Sequence, residues 1–126
     1  MNALIDSSAW VSFFAKGPLA DKVAKYVENA NPKNHFTPTV VLYEVYKKIK
    51  KTFDDQTAAD NVAKIVAWTT IVDLTQELSL LAADKSLETG LGMADAIVLV
   101  TAEKKRATLI TADNDFRGQS NVVLIE

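Results

Sequence analysis

The chain has 126 residues, of which 48% are hydrophobic, with four glycines and three prolines, so we expect one folded domain over residues 1–126. It has no cysteine and a single histidine, His35, which excludes disulfides and cysteine-ligated metal centres and leaves almost no scope for a histidine-rich site. The net charge of −2 argues weakly against a simple basic nucleic-acid binder, and no signal peptide or membrane span is evident, so we expect a soluble, cytoplasmic protein without a membrane partner.

Short apolar segments alternate with helical patterns along the whole chain. Ser7 is the predicted N-cap of the first helix, and Gly90 is predicted to end the fifth. In chain order, the predicted elements are strand 3–6, helix 7–14, helix 19–28, strand 35–37, helix 39–53, helix 57–68, strand 71–72, a helix marked by 78–87, helix 94–104, strand 108–111, loop 114–121 and strand 122–125. This alternation predicts an α/β fold in which helices cover both faces of a parallel sheet.

Four acidic residues lie where the chain is expected to change between strand and helix: Asp6, Glu44, Asp95 and Asp113. In open α/β folds, ligands bind at the carboxyl ends of the strands. Each acid also has an ordinary explanation, because Asp6 suits a helix cap, Glu44 an exposed helix surface, and Asp113 a turn. Asp95 is harder to explain in this way, since apolar residues flank it and a buried carboxylate needs a compensating partner.

Carboxylates gathered at one edge would repel one another unless a cation joined them. Mg²⁺ and Mn²⁺ prefer such hard oxygen ligands. A site of this kind can activate water and stabilise charge on a phosphate. No cysteine, lysine or serine has the setting of an activated covalent nucleophile, so the pattern favours metal-assisted hydrolysis of phosphodiester bonds by water.

The sequence resembles the PIN-domain ribonucleases and, among them, the VapC-type toxins of prokaryotic toxin–antitoxin pairs. The resemblance covers essentially the full chain and rests on the order and spacing of four segments, residues 4–8, 40–45, 92–97 and 109–116. It implies a three-layer α/β/α sandwich with a central parallel sheet. It also implies an endoribonuclease that depends on Mg²⁺ or Mn²⁺, a cognate VapB-type antitoxin that inserts a peptide near the site, and a homodimer.

The resemblance also assigns roles to the acidic residues. Asp6, Glu44, Asp95 and Asp113 would form the catalytic quartet, in which Asp6 and Asp95 are the direct metal ligands and Asp113 completes the metal site. Glu44 would hold or activate a metal-bound water.

Three further residues are expected beside this quartet. Thr111 would place its hydroxyl near Asp6, and Ser7 would donate a hydrogen bond within the site. Asp115 is an additional acid of the last loop, because family members differ in which acid of that loop completes the site.

Two runs of basic residues interrupt the acidic chain, at 47–51 and 104–106. Both would serve as solvated helix faces. Lys47, Lys48 and Lys51, however, follow Glu44 by three, four and seven positions, which places them on or beside the same helix face. We therefore expect these three lysines to contact the RNA backbone as it leaves the site.

Three other functions remain open from the sequence. A response-regulator receiver domain has a similar length and an acidic Mg²⁺ site, but it needs an acidic pair after the first strand, where serines follow Asp6 here. A PIN nuclease of RNA processing or decay would share the whole site. A PIN-fold binding scaffold without catalysis would differ only in failing to cleave RNA.

Overall fold

The computed structural model describes every residue from Met1 to Glu126. Its strands are β1 (Asn2–Ile5), β2 (His35–Pro38), β3 (Thr70–Val72), β4 (Ala107–Thr111) and β5 (Val122–Leu124). Its helices are α1 (Ser7–Phe14), α2 (Ala20–Glu28), α3 (Thr39–Thr52), α4 (Asp55–Trp68), α5 (Gln76–Thr89) and α6 (Met93–Lys104). A short 3₁₀ helix covers Asn114–Phe116.

All five strands are parallel and form one sheet in the order β3-β2-β1-β4-β5. Because parallel crossovers are right-handed, the helices that follow β1 and β2 lie on one face, and those between β3 and β4 lie on the other. The contacts agree: α1 packs on α2 and α3, α3 packs on α4, and α5 packs on α6. The predicted three-layer α/β/α sandwich is confirmed.

The core fills both sides of the central strands. Leu4 of β1 and Leu109 and Ile110 of β4 are fully buried. On one face, Trp10 is also fully buried, and its ring stacks on Phe14 with ring centroids 5.7 Å apart. On the other face, α6 has seven consecutive buried residues, 96–102. None of the helices combines the length and the apolar content needed to cross a membrane.

Four details test the predicted elements. Gly90 follows α5 with a left-handed φ of 79°, as a helix-ending glycine does. The predicted Ser7 cap was wrong, because α1 begins at Ser7 and Asp6 holds the N-cap position; the Ser7 hydroxyl donates to Glu44. Helix α4 begins two residues earlier than predicted, because the Asp54 side chain accepts the backbone N–H of Thr57. The predicted loop 114–121 opens with the 3₁₀ helix.

Candidate active site

The acidic residues lie at the carboxyl ends of β1 and β4, between which the strand order reverses. Strands β2 and β3 lie to one side of β1, whereas β4 and β5 lie to the other. Asp6 follows β1 and Asp113 follows β4, and the backbone N–H of Asp6 donates to the Ile110 carbonyl at 2.8 Å. The crevice beyond such a switch point is the usual ligand position in open α/β sheets.

Asp6 is almost completely buried, with 2% of its surface exposed. Two hydroxyls donate to the same carboxylate oxygen, Oδ2: Thr111 Oγ1 at 2.8 Å and Ser8 Oγ at 3.0 Å. Burial raises the pKa of Asp6, and these hydrogen bonds oppose the rise because they favour the ionised form. The contact between Thr111 and Asp6, expected from the family resemblance, is therefore present.

Ser8 connects the two loops that carry Asp6 and Asp113. Its oxygen also accepts the backbone N–H of Ala112 at 2.9 Å and lies 3.2 Å from Thr111 Oγ1. Thr111 Oγ1 in turn accepts the backbone N–H of Asp113 at 3.0 Å. The sequence alone predicts no role for Ser8. Its only signal was a second hydroxyl in the first turn of a helix that begins directly after Asp6.

Glu44 extends into the site from α3 and is not a free surface carboxylate. Its Oε1 accepts the Ser7 hydroxyl at 3.0 Å. Partial burial raises the pKa of Glu44, the Ser7 hydrogen bond lowers it, and the negative charges of Asp6 and Asp113 raise it further. Glu44 therefore shares its electrostatic environment with acids that lie 38 and 69 residues away along the chain.

Three carboxylates form the tightest part of the cluster. Asp95 in the first turn of α6, Asp113 and Asp115 each offer an oxygen, and these oxygens lie within 4.8 Å of one another. Burial, followed by the negative charges of Asp113, Asp6, Glu44 and Asp115, raises the pKa of Asp95 to about 7. Asp95 is thus affected by each of the other four acids.

This donor set fits a divalent cation. It consists of hard carboxylate oxygens, and their mutual repulsion is the condition that a bound cation relieves. The backbone N–H of Asp115 donates to Asp113 Oδ1 at 2.9 Å, which orders the last acidic loop. Asp6 lies outside the group of three, yet its charge is one of those that raise the pKa of Asp95.

A groove of about 440 Å³ opens beside Glu44. Two short-chain hydroxyl residues, one acid and three lysines account for most of its lining, which consists of Ser7, Ser8, Val11, Tyr43, Glu44, Lys47, Lys48 and Lys51. The three lysines singled out from the sequence therefore border the same groove as Glu44. The groove brings positive charge next to the acidic cluster.

The family model of the PIN domain matches residues 3–120. The chain therefore belongs to the PIN-domain family. Among curated proteins, none matches the sequence significantly.

Solved structures of toxin–antitoxin proteins share this fold. One is a toxin-antitoxin complex from Klebsiella pneumoniae, with a TM-score of 0.77 and 25% identity over 97% of this chain and 96% of that one. Another is Mycobacterium tuberculosis VapC20, a Sarcin-Ricin loop cleaving toxin, with a TM-score of 0.82 and 17% identity over 99% of this chain and 100% of that one. A third is VapBC2 from Rickettsia felis bound to a promoter DNA fragment, with a TM-score of 0.73 and 17% identity over 98% and 97% of the two chains.

Proposed function

We propose that the chain is the endoribonuclease toxin of a VapBC-type pair, a single PIN-like domain over residues 1–126 that acts in the cytoplasm and depends on Mg²⁺ or Mn²⁺. The observation that carries the proposal is the convergence of five carboxylates at one sheet edge, where the pKa of Asp95 rises to about 7, beside a lysine-lined groove. Membership of the PIN-domain family and the likeness to VapC toxins support a nuclease.

Asp6, Asp95 and Asp113 would hold the cation, with Asp115 within reach of the same position. Thr111 and Ser8 both donate to Asp6 Oδ2, so Asp6 Oδ1 is the oxygen that we assign to the cation. When bound, the cation supplies charge neutralisation at the phosphate and lowers the pKa of water. The two hydroxyls stabilise the ionised form of Asp6, which is the form that binds metal.

Glu44 is the residue that we assign to the attacking water. Ser7 fixes its Oε1, which leaves Oε2 to accept the proton of the water. Burial and the neighbouring acids raise the pKa of Glu44, and a carboxylate with a raised pKa is a stronger general base. Lys47, Lys48 and Lys51 would bind the phosphates of the RNA on the Glu44 side of the site.

Cleavage of a mixed cellular RNA pool by the purified chain tests the proposal. Discrete cleavage is expected with Mg²⁺ or Mn²⁺, none with EDTA, and none from the Asp6→Asn, Asp95→Asn double variant. Asp84→Asn is the matched control. Asp84 is exposed on α5, so this variant should cleave RNA like the unaltered chain. Absence of cleavage in any metal, from a folded and antitoxin-free preparation, would favour a PIN-fold binding scaffold.

The partners belong to the same proposal. The Klebsiella structure is a toxin-antitoxin complex and the Rickettsia structure is a VapBC pair, which supports a VapB-type antitoxin for this chain. An antitoxin encoded next to this chain should copurify with it and inhibit its cleavage. Light scattering of the isolated chain is expected to give the mass of a homodimer, and a mass of 13.8 kDa would contradict that expectation.

A further inference from the structure

Tyr43 is an exposed aromatic residue beside the candidate catalytic carboxylate. It directly precedes Glu44 on α3, lines the same groove, and keeps 60% of its surface exposed. Neighbouring apolar residues of α3, such as Val41 and Val45, are fully buried. The ring of Tyr43 therefore adds little to the core, and most of its area is available to a ligand.

Lys47 contacts the Tyr43 side chain near its hydroxyl. Its Nζ lies 5.6 Å from the centroid of the Tyr43 ring and 3.4 Å from the Tyr43 hydroxyl. The lysine and the tyrosine are four positions apart, which is the spacing at which helix side chains meet. The ammonium is nearer to the hydroxyl than to the ring centre, so Lys47 places a positive charge at the hydroxyl edge of the exposed ring.

We propose that Tyr43 is a stacking platform for an unpaired RNA base next to the bond that is cut. This inference rests on the proposed function and adds to its site a residue that contacts a base of the RNA. Grooves that combine basic side chains with exposed aromatic rings suit single strands, because every base has a π-face that can stack on the ring. Bases of a duplex are already stacked on their neighbours and cannot reach the ring.

The chain offers a matched control for this platform. Tyr46 and Lys50 repeat the pair one turn later on α3, with Nζ 5.2 Å from the ring centroid and 3.5 Å from the hydroxyl. Tyr46 is 39% exposed, and neither residue lines the groove. Tyr46→Ala therefore removes an equivalent tyrosine–lysine pair without touching the proposed platform.

The experiment measures binding of a short single-stranded RNA that carries the fluorescent base 2-aminopurine at successive positions, in EDTA, where no cleavage occurs. One position should be quenched by the unaltered chain and by Tyr43→Phe. Tyr43→Ala should lose that quenching and bind about 5- to 150-fold more weakly, the range for loss of one stacked base. Tyr46→Ala should stay within about twofold of the unaltered chain.

An abasic nucleotide at the quenched position provides the decisive comparison. With that RNA, the unaltered chain and Tyr43→Ala should bind equally, because the base that the ring contacts is gone. An undiminished effect of Tyr43→Ala on the abasic RNA would overturn the inference, as would duplex RNA that binds as tightly as the single strand. Tyr43→Ala with unchanged affinity would also overturn it.

The outcomes for the inference and for the proposed function are separable. Quenching that depends on Tyr43, without cleavage in any metal, would support the stacking platform and contradict the nuclease activity. Cleavage that depends on metal, with no effect of Tyr43→Ala on RNA binding, would support the nuclease activity and contradict the stacking platform. Absence of both RNA binding and metal-dependent cleavage by the unaltered chain would contradict both.

Discussion

Replacing Asp95 by asparagine should stabilise the metal-free protein at alkaline pH. The substitution keeps the size of the side chain and removes its charge, which is repelled by four neighbouring acids. The pKa of Asp95 rises from the ordinary 3.8 to about 7 in the folded chain. Between these two values the folded state holds a proton that the unfolded state has lost, so the free energy of unfolding decreases as the pH rises.

The size of the effect follows from the pKa and the exposure of the group. A rise of the Asp95 pKa from 3.8 to about 7 corresponds to at most ~4 kcal/mol. Asp95 is partly exposed, and solvent screening reduces this penalty to about 1–2 kcal/mol. Asparagine also loses the attraction between Asp95 and the N-terminus of α6, which costs about 0.5 kcal/mol. In EDTA at about pH 8, the free energy of unfolding of Asp95→Asn should therefore be about 1 kcal/mol higher than that of the unaltered chain. This difference corresponds to a Tm that is higher by roughly 3–6 °C.

Thermal unfolding measured by circular dichroism in EDTA provides the assay. At about pH 4 the difference in stability should vanish or reverse. The carboxyl group of Asp95 is then protonated in the folded chain, so it is neutral like the asparagine of the variant. Added Mg²⁺ should raise the Tm of the unaltered chain more than that of Asp95→Asn. Asp84→Asn, an exposed control on α5, should follow the unaltered chain at every pH. An Asp95→Asn variant that is less stable than the unaltered chain at about pH 8 would show that favourable contacts outweigh the repulsion.

Three further predictions concern cleavage and RNA binding. Ser8→Ala should slow single-turnover cleavage about tenfold and lower the free energy of unfolding by about 1 kcal/mol in a thermal unfolding assay. The reason is that Asp6 and the Ala112 N–H each lose a hydrogen-bond partner. An unchanged cleavage rate would refute this positioning role. Glu44→Gln should slow cleavage about 100-fold or more while RNA affinity persists in a binding assay, and equal rates would remove Glu44 from proton transfer. Lys48→Glu with Lys51→Glu should weaken RNA binding and flatten its salt dependence in a titration at several salt concentrations, whereas Lys64→Glu, outside the groove, should do neither.

The sequence was sufficient for the order of the elements and for the layers of the fold. Short buried strands and helices of period 3.6 are local signals, and a parallel sheet follows from their alternation. The edge that collects Asp6 and Asp113 also follows, because both residues come directly after strands. The structure brings Glu44 and Asp95 to the same edge, while their roles as base and ligand stay predictions.

The hydroxyl network was not predictable from local pattern. Ser8 meets Thr111 and Ala112 across more than 100 residues, and nothing near Ser8 in the sequence indicates those partners. Ser7 was predicted as a helix cap on local grounds, but the helix begins at Ser7 itself, and the Ser7 hydroxyl donates to a carboxylate on another helix. Asp115 joins Asp95 and Asp113 because of the conformation of one loop, which the sequence described only as irregular.

The site joins parts of the molecule that the sheet otherwise separates. Asp6 follows β1, Glu44 belongs to the helical layer on one face, and Asp95 lies in the first turn of the most buried helix of the opposite layer. A cation held by Asp6, Asp95 and Asp113 would act as a reversible cross-link that closes a loop of more than 100 residues in a chain that has no cysteine. Chelation should therefore loosen the first turn of α6, with faster amide hydrogen exchange there than at its far end. The concentration of the divalent cation would then control the rigidity of this sheet edge as well as its chemistry.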